Sequence, residues 1–183
     1  MTNIWGKLKH FKKEEFDKYT QKNIDPSILL ALDSFRTHLG CCVYPSPAIG
    51  AGVRIGNEGG TVSRSWHCIV EGRNSKGRAV DVFIGGSLIK AALLAIAMPE
   101  FGGVGIYPYW KWENRNLYGG LHLDTRPVKG WRGVSGVKQI WWRDLKGEYL
   151  HFSLDSTHSI NFKNLFKIIS SDTFGSIING ESK

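Results

Sequence analysis

The sequence predicts an α+β fold in which N-terminal helices pack on a mainly antiparallel sheet. Two helical segments come first, several short β-compatible runs follow, and one further helix interrupts them. That order does not match the strict strand–helix alternation of doubly wound folds. With 183 residues, 42% of them hydrophobic and 22% charged, the chain can bury a real core and lies outside the composition of disordered chains.

Each element has its own warrant. Phe11, Phe16 and Tyr19 mark one face of a first helix over 12–22. Asp25-Pro26 opens a second, with Asp as N-cap and Pro in the first turn, where its missing N–H costs nothing. Ile28, Leu29, Leu32, Phe35 and Leu39 keep helical spacing until Gly40 ends the segment. The Gly- and Pro-rich stretch 45–60 has no period and reads as a loop long enough to carry function. Strands are expected over 65–70 and 79–84, joined by the turn-rich residues 71–77. Ser87 caps a third helix over 87–98, and runs at 104–109, 120–125, 139–142 and 149–152 complete the sheet. Residues 1–152 then form the main domain. Residues 153–183, rich in Ser, Asn and Lys with an amphipathic piece at Phe162, Leu165, Phe166 and Ile169, read as a partly helical appendage.

Composition removes several function classes. The longest apolar run, 91–98, is too short to span a bilayer. No apolar leader is visible in residues 1–13, so synthesis in the cytoplasm without a signal peptide is expected. Cys41, Cys42 and Cys68 are an odd count, and the adjacent pair is poorly placed to bridge, which argues against a disulfide framework. A net charge of +8 and a pI near 9.5 favour polyanionic partners, either nucleic acid or the anionic bacterial wall. No helix-turn-helix, RNP-type, KH or zinc-finger pattern accompanies the charge, so no specific nucleic-acid partner is expected.

Strand alternation then sorts the chemistry-bearing residues. In 79–84, Val80, Val82 and Ile84 share one face, while Asp81 shares the other with Ala79 and Phe83. A carboxylate so placed needs a partner, because an unpaired buried charge is very costly. In Leu121-His122-Leu123-Asp124-Thr125-Arg126 the leucines point one way and His122, Asp124 and Arg126 the other. His67 lies on a third strand. Two His and one Asp from three strands suit an open zinc site. Each residue also has a plain reading: His122 and Asp124 as the polar face of a strand, His67 as a satisfied structural histidine, Asp81 as a partner of Arg78. The aromatic cluster Tyr107, Tyr109, Trp110, Trp112 and Tyr118 fits a substrate groove or ordinary packing equally well.

Four pieces stand in order: Ser65-Trp66-His67, Gly77-Arg78-Ala79-Val80-Asp81, Gly103-Val104-Gly105-Ile106-Tyr107-Pro108 and His122-Leu123-Asp124-Thr125-Arg126. Together they resemble the zinc D-Ala-D-Ala carboxypeptidase family of murein peptidases, over roughly residues 10–145. The resemblance implies a hedgehog/DD-peptidase-like fold carrying one Zn2+ on His67, Asp81 and His122. It also implies an upstream arginine that clamps the substrate's carboxylate, here Arg54 with Arg64 second. The implied activity is hydrolysis of peptidoglycan peptides at the bacterial wall, as a phage lysin or virion component.

Two departures stand out. His67 and Asp81 are farther apart than the family's pair, which an inserted hairpin over 70–76 accounts for. The acid that many members carry three positions before the last histidine is replaced by Gly119, leaving Asp124 or Glu113 as the general base, or Asp124 as a residue that orients a ligand. Gly119 also supports an alternative, a catalytically silent wall-binding or structural module on the same fold. Oligomeric state has no signature in the sequence.

Overall fold

The computed structural model describes residues 3–48, 50–55, 65–69, 75–127 and 138–152. Arg64, most of the inserted segment 70–76 and the expected appendage 153–183 lie outside the described residues.

The first expected helix is split. A 3-10 turn at Lys13–Glu15 is followed by α1 (Lys18–Asn23), because the Asp17 side chain accepts from the backbone N–H of Tyr19 and Thr20 and starts a new helix there. Helix α2 (Pro26–Leu39) has the expected ends: Asp25 accepts from Ser27 N–H, and Gly40 closes the helix with φ 69°. Strand β1 (Val43–Pro45) ends where the stretch read as loop begins, and strand β2 (Arg54–Ile55) lies within it. After β3 (Cys68–Ile69) and β4 (Ala79–Ile84) comes α3 (Leu88–Ala97), capped by Ser87 Oγ. Strands β5 (Gly103–Trp112), β6 (Leu117–Asp124), β7 (Gln139–Arg143) and β8 (Tyr149–Phe152) follow.

The main sheet has six strands in the order β1-β4-β6-β5-β7-β8. It is mixed rather than uniformly antiparallel, since β5 and β7 run parallel. Its apolar face carries Val80, Val82 and Ile84 of β4, Leu121 and Leu123 of β6, Val104 and Ile106 of β5, and Trp142 of β7. These join one buried cluster with Ile28, Leu29, Leu32 and Phe35 of α2 and Leu88, Ala91 and Ala95 of α3. Period two in the strands and period 3.6 in the helices thus meet at one interface.

The segment around His67 differs from expectation. Ser65 to His67 form a turn, and β3 pairs in parallel with β2 in a separate two-stranded ladder, not with β4 as a hairpin would. The reason lies at the edge of β4. Asp81 N–H donates to Ala51 O and Asp81 O accepts from Ser46 N–H, so the loop after β1 occupies the place a hairpin partner needs.

Candidate metal centre

Asp81 and His122 face each other across the β4/β6 ladder, on the side of the sheet opposite the helices. His67 reaches the same point from the turn before β3. His122 Nδ1 lies 2.9 Å from Asp81 Oδ1 and 2.9 Å from His67 Nε2, and the third edge, His67 Nε2 to Asp81 Oδ1, is 3.2 Å. Tetrahedral zinc with bonds of about 2.0–2.2 Å sets its donors about 3.3 Å apart, so the triangle needs to open by only a few tenths of an ångström.

The partners of the outer ring nitrogens fix which atoms face inward. His67 Nδ1 sits 2.5 Å from Gly52 O and His122 Nε2 sits 3.0 Å from Asp124 Oδ2. A carbonyl and a carboxylate can only accept, so both outer nitrogens carry a proton, and in the neutral rings both inner nitrogens present lone pairs. Two ring lone pairs and a carboxylate oxygen converging within 3.2 Å repel one another unless a metal ion or a further proton sits among them. His67, Asp81 and His122 are 1%, 8% and 6% exposed, so water does little to relieve that repulsion. The donor set can therefore hold a metal ion.

The ionisation of the groups expresses the same demand. Burial pushes Asp81 up, but His67 and His122 outweigh it and hold the carboxyl well below the usual range. For His122, burial favours the neutral ring, yet hydrogen bonds to Asp124 and Asp81 raise its proton affinity above the ordinary value. Asp124 is likewise held low by His122 and Arg126 against its own burial.

Three supports hold the cluster. Thr20 Oγ1 donates to Asp17 and accepts from Val53 N–H at 2.8 Å, which sets the Gly52 carbonyl against His67. Asp124, fully buried, takes its ion pair from Arg126 as well as the bond from His122. The Arg126 guanidinium in turn lies 5.2 Å from the Trp141 ring and 5.8 Å from the Trp66 ring. Trp141 itself lies over Gly105, 4.9 Å from the His122 ring; a Cβ at Gly105 would occupy the indole's position.

The other expected site residues are placed differently. Arg54 is next to His67 along the β2/β3 ladder, its N–H bonded to His67 O, and its side chain is exposed and turned back onto Gly50 O. Glu113 sits at the tip of the β5–β6 hairpin, paired with Lys111 at 3.3 Å. Leu117, at that end of β6, is five positions from His122, or about 17 Å of strand, so Glu113 is not brought to the cluster. Asp124 is engaged on both sides and orients His122. Gly119 has φ 78°, and a Cβ there would meet Leu88 on the helix side of the sheet, so this position does not face the cluster at all.

Sequence reasoning did not assign roles to Arg126, Trp141, Thr20 or Gly52. Arg126 was visible as the next residue on the polar face after Asp124. Gly52 contributes only a backbone carbonyl, for which no residue type is a marker.

No family model matches the sequence, and no solved structure matches it. Among curated proteins it is similar to the probable peptidoglycan L,D-endopeptidase MepK of Haemophilus influenzae, with 32% identity over 129 residues. The match takes in 64% of this chain, and the chain spans about 60% of that relative's length.

Proposed function

We propose that the chain is a zinc-dependent peptidase that hydrolyses peptide bonds in bacterial cell-wall peptidoglycan. The observation that carries this reading is the convergence of His67 Nε2, His122 Nδ1 and Asp81 Oδ1 with both outer ring nitrogens already committed. Similarity to a peptidoglycan endopeptidase supports the substrate class. A zinc ion in this cluster supplies Lewis acidity toward a scissile carbonyl and makes water more acidic. The chain's own residues do the rest. Gly52 O and Asp124 lock the two ring tautomers, Arg126 keeps Asp124 ionised, and Trp141 shields one side of His122 from solvent. Arg54, exposed beside His67, suits a substrate carboxylate once its side chain swings off Gly50. A net charge of +8 suits an anionic wall, and a phage lysin or virion-associated enzyme is the proposed context.

The test pairs metal analysis with turnover on purified peptidoglycan. Wild type should hold about one zinc per chain and release peptide fragments, and His122→Ala should do neither. Full hydrolysis by His122→Ala would sink the reading.

A second reading, a wall-binding module without chemistry, is favoured by one specific observation. Position 119 is a left-handed glycine facing Leu88, and Asp124 is fully engaged, so neither supplies a free base. Zinc binding and peptidoglycan binding with no bond cleavage would establish that reading instead.

A further inference from the structure

A cavity of about 280 Å³ opens beside the metal cluster, on the same face of the sheet, between β5 and the β7–β8 hairpin. Its walls are Tyr107, Tyr109 and Trp110 on one side and Arg143, Asp144 and Lys146 on the other. The aromatic wall is built by an irregularity. The β5/β6 register shifts between Tyr107 and Lys111, which turns Trp110 over Gly120 to stack on Tyr107 at 4.1 Å and 12°. Tyr107 Oη also accepts from Trp141 Nε1 at 3.0 Å, and Trp141 borders His122. Trp141 thus stands between the cavity's Tyr107 and the cluster's His122.

The charges in the cavity do not cancel. Asp144 turns its carboxylate onto the hairpin backbone, where Oδ1 accepts from Glu148 N–H at 2.8 Å. Arg143 spends only its Nε, on Gly147 O, and rests 5.6 Å from the Tyr149 ring. Among the described residues neither Arg143 nor Lys146 has an ion-pair partner. With the Asp144 carboxylate in the same wall, the two cations leave a net positive charge beside the stacked rings, which makes a site for an anion carried on a partly apolar body.

We infer that this cavity is a second subsite, which binds a free carboxylate of a peptidoglycan stem peptide while the peptide's scissile bond lies at the His67–Asp81–His122 cluster. The substrate part of this inference rests on the proposed peptidase activity. Register sets the span. Gly105 and Trp141 are level with His122, and Tyr107 and Arg143 lie two residues further along, about 7 Å. With β5 and β7 one and two strands aside from β6, about 5 and 10 Å, the whole distance is about 9–12 Å. An extended peptide covers it in about three residues, so the recognised carboxylate lies about three residues from the cleaved bond.

The experiment compares two synthetic stem peptides, one with its side-branch carboxylates free and one with them amidated. Binding to the whole chain is titrated separately from hydrolysis. Wild type should bind the free-acid peptide about tenfold more tightly than the amide, and R143Q/K146Q should bring that ratio to about one. The charge-preserving R143K/K146R should keep most of the preference. A wild-type ratio near one, or an unchanged ratio in R143Q/K146Q, overturns the subsite. A normal ratio with no hydrolysis of either peptide supports the subsite and counts against the peptidase reading; hydrolysis without a ratio does the opposite.

Discussion

The two faces of the main sheet are made by the same strands and differ in what their side chains require. On the helix side, Val80, Val82, Leu121, Leu123 and Val104 need only to leave water, and each buried aliphatic side chain contributes about 1.5–3 kcal/mol without directional partners. On the other side, Asp81, His122 and Asp124 are also buried but are stable only with specific partners: Gly52 O and Asp124 on the outer ring nitrogens, Arg126 on Asp124, and a cation among the three inner atoms. A single strand such as β6 thus holds the core with its odd positions and the chemistry with its even ones. The faces should therefore fail separately.

Leu121→Ala makes the largest break, and it falls on the apolar face alone. Removing this fully buried side chain should cost about 2–5 kcal/mol in denaturant unfolding. Zinc per folded chain should stay at the wild-type level, and loss of zinc at conditions where the variant is folded would mean that the faces are coupled. Asp124→Asn works from the other side. An amide still accepts one bond but no longer carries the charge that pairs with Arg126 and holds the His122 Nε2 proton. Zinc affinity should fall about 10- to 100-fold in a competition titration with a chelator.

The contrast between faces also explains what could be read from the sequence. Apolar alternation in Val80/Val82/Ile84 and Leu121/Leu123, and the caps Asp25, Gly40 and Ser87, act within one segment, so α2, α3, β4 and β6 were legible. The same alternation set Asp81 and His122 on one face, and the cross-strand register then made them neighbours. What was not legible depends on the backbone meeting itself. The β2/β3 ladder, the parallel β5/β7 pair and the Gly52 carbonyl behind His67 arise from long-range contacts that leave no residue-type marker. The split of the first helix was hidden for a simpler reason: Asp17 reads as an ordinary helical surface residue until its side chain is seen capping α1.

Thr20→Val tests how far the polar face extends into the helices. Thr20 is fully buried, and its hydroxyl satisfies Val53 N–H, so valine leaves that donor without a partner. A loss of about 2 kcal/mol in stability is expected. Zinc affinity should fall by less than about tenfold, because Gly52 O shifts but still accepts from His67. A loss of affinity as large as that of Asp124→Asn would make the Thr20–Val53 contact an equal support of the site.

The smallest gain in turnover is expected at Gly119, and it sharpens the question of which residue serves as base. If the glycine merely replaced a catalytic acid, Gly119→Glu should raise the rate of peptidoglycan hydrolysis. The backbone argues otherwise: φ is 78°, and a Cβ would be directed at Leu88, on the side of the sheet that faces the helices. Gly119→Glu should therefore leave turnover at or below the wild-type value while costing several kcal/mol, from the left-handed conformation, the Leu88 contact and a carboxylate placed on the helix side of the sheet. The two readouts, hydrolysis rate and unfolding midpoint, separate the cases. A faster enzyme of unchanged stability would mean that position 119 faces the His67–Asp81–His122 cluster, and that neither its positive φ nor Leu88 requires the glycine.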